Sequence, residues 1–196
     1  MSPLATIARS DEGVAPDEDA PSVGSTVLTL ETEHLLLRQF RASDFEPYAA
    51  MCADPEVMRY VGERGVLSRE DAWRQMAMLA GHWQLRGYGM WAVEERATGG
   101  FIGRVGLHFP EGWPDQEVAW AFARAHWGRG FAFEAASAAL TYAFDSLHWP
   151  RVISLIDPDN SRSIRLAERL GEQFEREVVV RGHRVSLYSL RREGGH

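Results

Sequence analysis

The chain has 196 residues, 45% of them hydrophobic and 25% charged, with a net charge of −7 and one cysteine, Cys52. This predicts one domain able to bury its own core, and a lone cysteine excludes an internal disulfide framework, as a reducing compartment would require. All 21 positive side chains are arginine without an evident basic patch, no apolar run reaches the roughly 18–20 residues of a membrane helix, and no basic-then-apolar leader opens the chain, so the expectation is a cytoplasmic protein that engages neither nucleic acid nor membrane.

Residues 1–26 carry five acidic side chains against Arg9 alone and show no hydrophobic period. Such a segment does not bury enough apolar surface to offset its ordering entropy, which predicts a flexible tail ahead of a single domain over 27–192. Leu28 to Phe40 reads as a first strand. Ser43 reads as the cap of a short helix with Asp44 and Glu46 in its first turn, and Asp54-Pro55 starts another. Ser68, with Asp71 three residues on, predicts the start of a longer helix whose apolar face is Trp73, Met76, Ala80 and Trp83. Gly87 and Gly89 end it.

A hairpin follows: Met90 to Glu95, the turn Thr98-Gly99-Gly100, then Phe101 to Phe109, where Gly103 and Gly106 weaken the strand or mark a bulge. Another strand, Glu117 to Ala123, leads through a Gly-rich turn into the longest helix, about Phe131 to His148. A short strand, Arg151 to Ile156, a capped turn and a helix to Leu170 come next. Two strands, Phe174 to Val180 and Arg184 to Leu190, close the chain. The order predicts one mixed α/β (α+β) domain around a mostly antiparallel sheet.

Chemistry concentrates in His126-Trp127-Gly128-Arg129-Gly130-Phe131-Ala132, between a strand and a helix. Glycines there let backbone N–H groups converge, and a helix N-terminus adds unpaired donors and positive potential. That makes an anion site suited to a diphosphate. The heptapeptide by itself fits equally a Gly-X-Gly turn that merely enters a helix. It is not a dinucleotide fingerprint, because Phe133 replaces the third glycine, and a lysine-free chain has no phosphate-binding P-loop. The seven histidines show no metal-ligand spacing, so no metal is expected. Cys52 reads as a small buried apolar residue.

A series of spaced motifs decides between the two. Glu117-Val118-Ala119-Trp120 precedes Gly128-Arg129-Gly130-Phe131-Ala132-Phe133-Glu134-Ala135. Tyr142-Ala143-Phe144, Asn160-Ser161-Arg162-Ser163 and Glu168-Arg169-Leu170-Gly171 follow in order. Thr32 to Arg38 and Asp54 to Met58 agree more loosely. Over about residues 30–191 the chain resembles the GNAT superfamily of N-acetyltransferases, in particular its ribosomal-protein N-terminal acetyltransferase branch.

The resemblance implies a sheet whose central parallel strands, Glu117–Ala123 and Val152–Ile156, splay apart, with flanking helices. It implies acetyl-CoA as cosubstrate and an amine as acceptor, in a monomer or homodimer. The pantetheine arm would lie in the split against the backbone of Trp120, Ala121 and Phe122. The diphosphate would meet Trp127, Gly128, Arg129, Gly130, Phe131 and Ala132, and Asn160 would bond the arm. Glu117 would be the general base of a direct transfer, with Ser163 a weaker candidate for the acid.

Two positions depart from the family pattern. Ala125 stands where relatives carry Gln or Arg, and Ala167 where many carry an acid tyrosine. These departures favour the rival reading, a non-catalytic acyl-CoA sensor. An α-amine suits one modest base, since near neutral pH roughly a tenth of α-amines are unprotonated against well under a thousandth of lysines. The acceptor pocket is expected near Met58–Tyr60 and Arg181–His183. Trp73, Trp83, Tyr60 and Trp91 read as core, and Arg162 and Arg165 as a solvated face.

Overall fold

A computed structural model describes residues 28–62 and 65–192. The expected tail over 1–26 lies outside the described residues. The strands, in chain order, are β1 (Leu30–Glu31), β2 (Leu35–Arg38), β3 (Met90–Glu95), β4 (Gly100–His108), β5 (Glu117–Phe122), β6 (Arg151–Ile156), β7 (Gln173–Val180) and β8 (His183–Arg191). They form one sheet ordered β1-β2-β3-β4-β5-β6-β8-β7. Every neighbouring pair is antiparallel except β5 and β6, which are parallel and share the single register pair Glu117↔Ile153. The expected mixed, mostly antiparallel sheet with a splayed central parallel pair is therefore present.

Helices α1 (Phe45–Cys52), α2 (Pro55–Met58) and α3 (Arg69–Arg86) cover one face, and α4 (Phe131–Thr141) covers the other. A fifth helix, α5 (Ser161–Arg169), follows β6. The strand side chains alternate between two cores, as the pleat requires. Val118 and Phe122 pack with Phe131, Ala135 and Ala139 of α4. Ala121 packs with Tyr48, Met51 and Leu79 of the other helix layer.

Four elements differ from expectation for identifiable reasons. The first strand is broken into β1 and β2 because the Glu134 carboxylate accepts the Thr32 hydroxyl (2.6 Å) and the His34 N–H (2.8 Å), pinning a turn there. Ser43 caps nothing. Asp44 is buried, accepts the Arg41 N–H (2.7 Å) and pairs with both terminal nitrogens of Arg38. Helix α3 turns Ala72, Leu79, His82 and Trp83 inward and leaves Trp73 57% exposed. Apolar residues surround that helix, so its period alone does not select a face. Helix α4 stops at Thr141 and its last turn widens into a π-turn, Tyr142–Ser146.

Other signals match. Ser68 accepts the Asp71 N–H, Asp54 caps α2, and Gly87 ends α3 in the left-handed conformation. The irregularity associated with Gly103 lies in the facing strand pair, as a register shift between Val93 and Glu94. Gly103 itself must be small, because a Cβ there would meet the Ala121 carbonyl at 2.6 Å.

Candidate active site

The site starts where β5 and β6 part. Ile153 donates its N–H to the Gln116 carbonyl (2.8 Å), a normal parallel rung. The next rung would join the Leu155 N–H to the Val118 carbonyl. Two side chains replace it. Glu117 Oε1 accepts the Leu155 N–H (3.3 Å), and the Ser154 hydroxyl donates to Val118 O (2.9 Å). Beyond this fork β5 has no partner strand on that side. Ala123 donates to Ile102 of β4, so by alternation Ala119 and Ala121 direct their backbone groups at β4, while Val118, Trp120 and Phe122 direct theirs at the split. Val118 O is taken by Ser154, and Phe122 O by the Trp127 indole (2.8 Å). Trp120 keeps both backbone groups for a ligand.

Two cavities meet here. One, of about 530 Å³, runs beside α4 and is lined by the Trp120–Phe122 edge, Trp127, Gly128 and the Gly130–Phe133 segment. Gly128 (φ 75°) and Gly130 (φ 84°) both adopt the left-handed region, and no side chain caps α4. Its first-turn amides therefore remain unpaired donors. Cations come from α5: Arg162, Arg165 and Arg169 line this groove, and the Arg162 guanidinium lies 3.9 Å from the centre of the Trp127 ring. Arg129 does not line it. Its guanidinium reaches back to Glu95 Oε1 (2.6 Å) and covers the Phe131 ring.

The other cavity, of about 410 Å³, opens on the far side of Trp120. Glu117, Arg104 and His108 line it from the sheet, Tyr60 from the segment after α2, and Arg181 and His183 from the last hairpin. The expected pocket segments are thus brought together, with Trp83 and Trp91 in the core and Tyr60 at the wall. Trp120, Asn160 and Ser163 line both cavities. Asn160 caps α5, accepting the Ser163 N–H (3.2 Å) and donating to Ser163 Oγ (3.0 Å). The Trp120 indole also donates to that hydroxyl (3.3 Å). Ser163 Oγ thus accepts two hydrogen bonds, and its own proton has no protein acceptor among the described residues.

Glu117 is 6% exposed. Burial pushes its carboxyl up to about 7, against the opposing effects of the Leu155 N–H, the Trp113 indole (2.8 Å) and the Arg104 charge. Behind it lies Glu172, raised to about 8 by burial, a shift to which the Glu117 charge contributes. Ser154 Oγ is 3.0 Å from Glu172 Oε1 and 2.9 Å from Val118 O. One hydroxyl proton does not serve both acceptors. Both are satisfied when Glu172 is protonated and donates to Ser154, which then donates to Val118. His108 is held neutral, its pKa lowered to about 3 by burial and by Arg104, His82 and Arg181. Glu172 and His108 stand in no motif, so sequence reasoning passed over both. Among the described residues no cluster of His, Cys, Asp and Glu suits a metal, and no helix is long and apolar enough to cross a membrane.

Comparison with known proteins agrees with this geometry. Residues 34–173 match the model of the acetyltransferase (GNAT) domain. The chain is 33% identical over 153 residues to the uncharacterized N-acetyltransferase YoaA of Bacillus subtilis, covering 78% of this chain and 85% of that protein. An acetyltransferase structure from Agrobacterium tumefaciens superposes with a TM-score of 0.77 at 27% identity, over 94% of this chain and all of that one. The ribosomal-protein-S5-alanine acetyltransferase of Vibrio fischeri shares the fold at 17% identity, with a TM-score of 0.69 over 85% of this chain and 98% of that one.

Proposed function

Since the chain belongs to the GNAT acetyltransferase family, acyltransferases that use acetyl-CoA, we propose that it moves the acetyl group directly onto a primary amine in a ternary complex, in the manner of the ribosomal-protein N-terminal acetyltransferase branch. The observation that carries this reading is the fork: one parallel rung, then two cavities meeting at Trp120 with Glu117 at the crotch. Family membership argues against a non-catalytic sensor.

When bound, acetyl-CoA supplies an electrophilic carbonyl carbon and a thiolate leaving group. The Trp120 carbonyl would accept from the pantetheine arm as in an added strand. Gly128, Gly130 and the first-turn amides of α4 would hold the diphosphate, with charge from Arg162 and Arg165 rather than Arg129. Asn160 would act mainly by fixing Ser163.

In the transfer a nitrogen–carbon bond forms, the carbon–sulfur bond breaks, and the amine proton passes to Glu117 directly or through water. A carboxyl titrating near neutrality is matched to that task. The Trp120 N–H, facing the split, would stabilise the developing oxyanion. Ser163, with two bonds accepted and one proton to give, would donate to the leaving sulfur.

Thiol release from acetyl-CoA in the presence of an amine panel tests the reading. Acetylated amine should form one-for-one with free thiol. Thiol release that is absent, or independent of amine, would refute it.

A further inference from the structure

We propose that the acceptor is a zwitterion of amino-acid size, and that Arg104 binds its carboxylate while Glu117 takes the proton from its amine. This rests on the transferase reading of the fork and names the substrate class of that site. Arg104 lies on β4 opposite Ala121, and His108 opposite Glu117. Directly paired residues share a face, so Arg104, His108 and Glu117 project from the same side of the sheet. Between them lies the pair Gly106↔Ala119, which contributes a single methyl and leaves the floor open.

Arg104 is the exception among the buried and half-buried arginines. Arg38 holds Asp44 and Glu94, and Arg151 reaches Asp115 and Glu175. Arg104 is half-buried and lines the acceptor cavity, yet among the described residues it makes no hydrogen bond or ion pair. Its Nε atom is buried without a hydrogen bond, as is that of Arg151, whose guanidinium is nevertheless paired with Asp115 and Glu175. A charge withdrawn from water without a counter-ion is costly, and a planar guanidinium in a cleft is matched to a carboxylate. Glu117 feels the Arg104 charge but makes no hydrogen bond or ion pair with it; its oxygens accept from the Trp113 indole and the Leu155 N–H.

A ligand that completes both groups therefore presents an anion to Arg104 and an amine to Glu117. The remaining walls include Met78, Trp113, Val180 and Val185, which suit an apolar side chain. A polycation would meet the Arg104 charge without compensation.

The test measures thiol release from acetyl-CoA with alanine, leucine and phenylalanine, each beside its amide and its decarboxylated amine. The expected result is a preference for the amino acid on the order of 10- to 100-fold in kcat/KM, the size of a hydrogen bond to a charged group. R104Q should bring that ratio close to one, and R104K should leave it intermediate. Amides or simple amines that match the amino acids, or a ratio unchanged in R104Q, would overturn the proposal. So would the absence of thiol release from every acceptor. In that case calorimetric binding of acetyl-CoA separates the two claims: retained binding leaves the cosubstrate seat standing, and lost binding removes the transferase reading as well. Melting of R104Q controls for folding, with R104K as the second variant if R104Q melts early.

Discussion

The two cavities that meet at Trp120 are built from different materials. In the groove beside α4 the anion seat is backbone, with Gly128 and Gly130 in left-handed conformations and an uncapped helix end, and aromatic and arginine side chains surround it. The cavity proposed for the acceptor is formed by side chains, including Glu117, Arg104, His108 and Trp113. A backbone site depends on local conformation, so a change there should alter binding by distorting the turn. A side-chain site depends on single groups, so a change there should alter chemistry or choice of acceptor and leave binding of the cosubstrate intact.

The sharpest separation is expected at Glu117. E117Q should lower kcat by about 10²- to 10⁴-fold, the usual contribution of a positioned base, with the calorimetric Kd for acetyl-CoA unchanged. As the proposed base Glu117 would work unprotonated, and burial pushes its carboxyl up to about 7. Wild-type kcat/KM should therefore fall as pH drops through that value, beyond any limb set by the acceptor amine, and E117Q should lack this limb. Substitution at the groove should do the reverse. Gly130 has φ 84°, and a branched residue there costs about 1–2 kcal/mol. G130V should weaken acetyl-CoA binding about 5- to 30-fold and keep most of the rate at saturation. Equal loss of binding in both variants would erase the distinction.

Arginines sharpen it further. R165A should raise the acetyl-CoA Kd about 3-fold at low salt and less at high salt, as screening predicts. R129A should leave Kd alone, because Arg129 serves Glu95. Its effect should appear in melting, at about 1 kcal/mol, since a buried carboxylate loses its partner.

The smallest effect concerns Glu172. Its folded-state carboxyl titrates at about 8, above the ordinary 4.5. The folded protein keeps this proton where the unfolded chain has lost it, so the stability it contributes is full below about 4.5 and fades as pH rises through 8. E172Q, which still donates to Ser154, should melt at nearly the wild-type temperature at about pH 4.5 and above it by a margin that widens as pH rises to 8, reaching several °C at pH 9.

The same contrast explains what the sequence disclosed. The α4 turn was legible because glycine spacing and a helix start are local signals, and the Ser68 cap and the capped turn before α5 were legible for the same reason. The succession of elements along the chain was readable from turns such as Thr98-Gly99-Gly100. The break between β1 and β2 was not, since the carboxylate that pins it belongs to Glu134, about a hundred residues away. The inward face of α3 was masked by apolar residues around the helix. In the acceptor cavity, Glu117 stood out only through its place before Trp120. Arg104 lay hidden in a glycine-weakened strand, and Glu172 followed a helix end with no motif. Their significance comes from burial and missing partners, which appear only once distant strands are paired.

Amide hydrogen exchange with and without coenzyme A tests the fork as the seat of the cosubstrate. Slower exchange is expected in residues 118–122 and 127–133, with little change across the β7–β8 edge. Exchange that stays the same in both of those segments while coenzyme A is bound would place the ligand elsewhere and contradict the assignment.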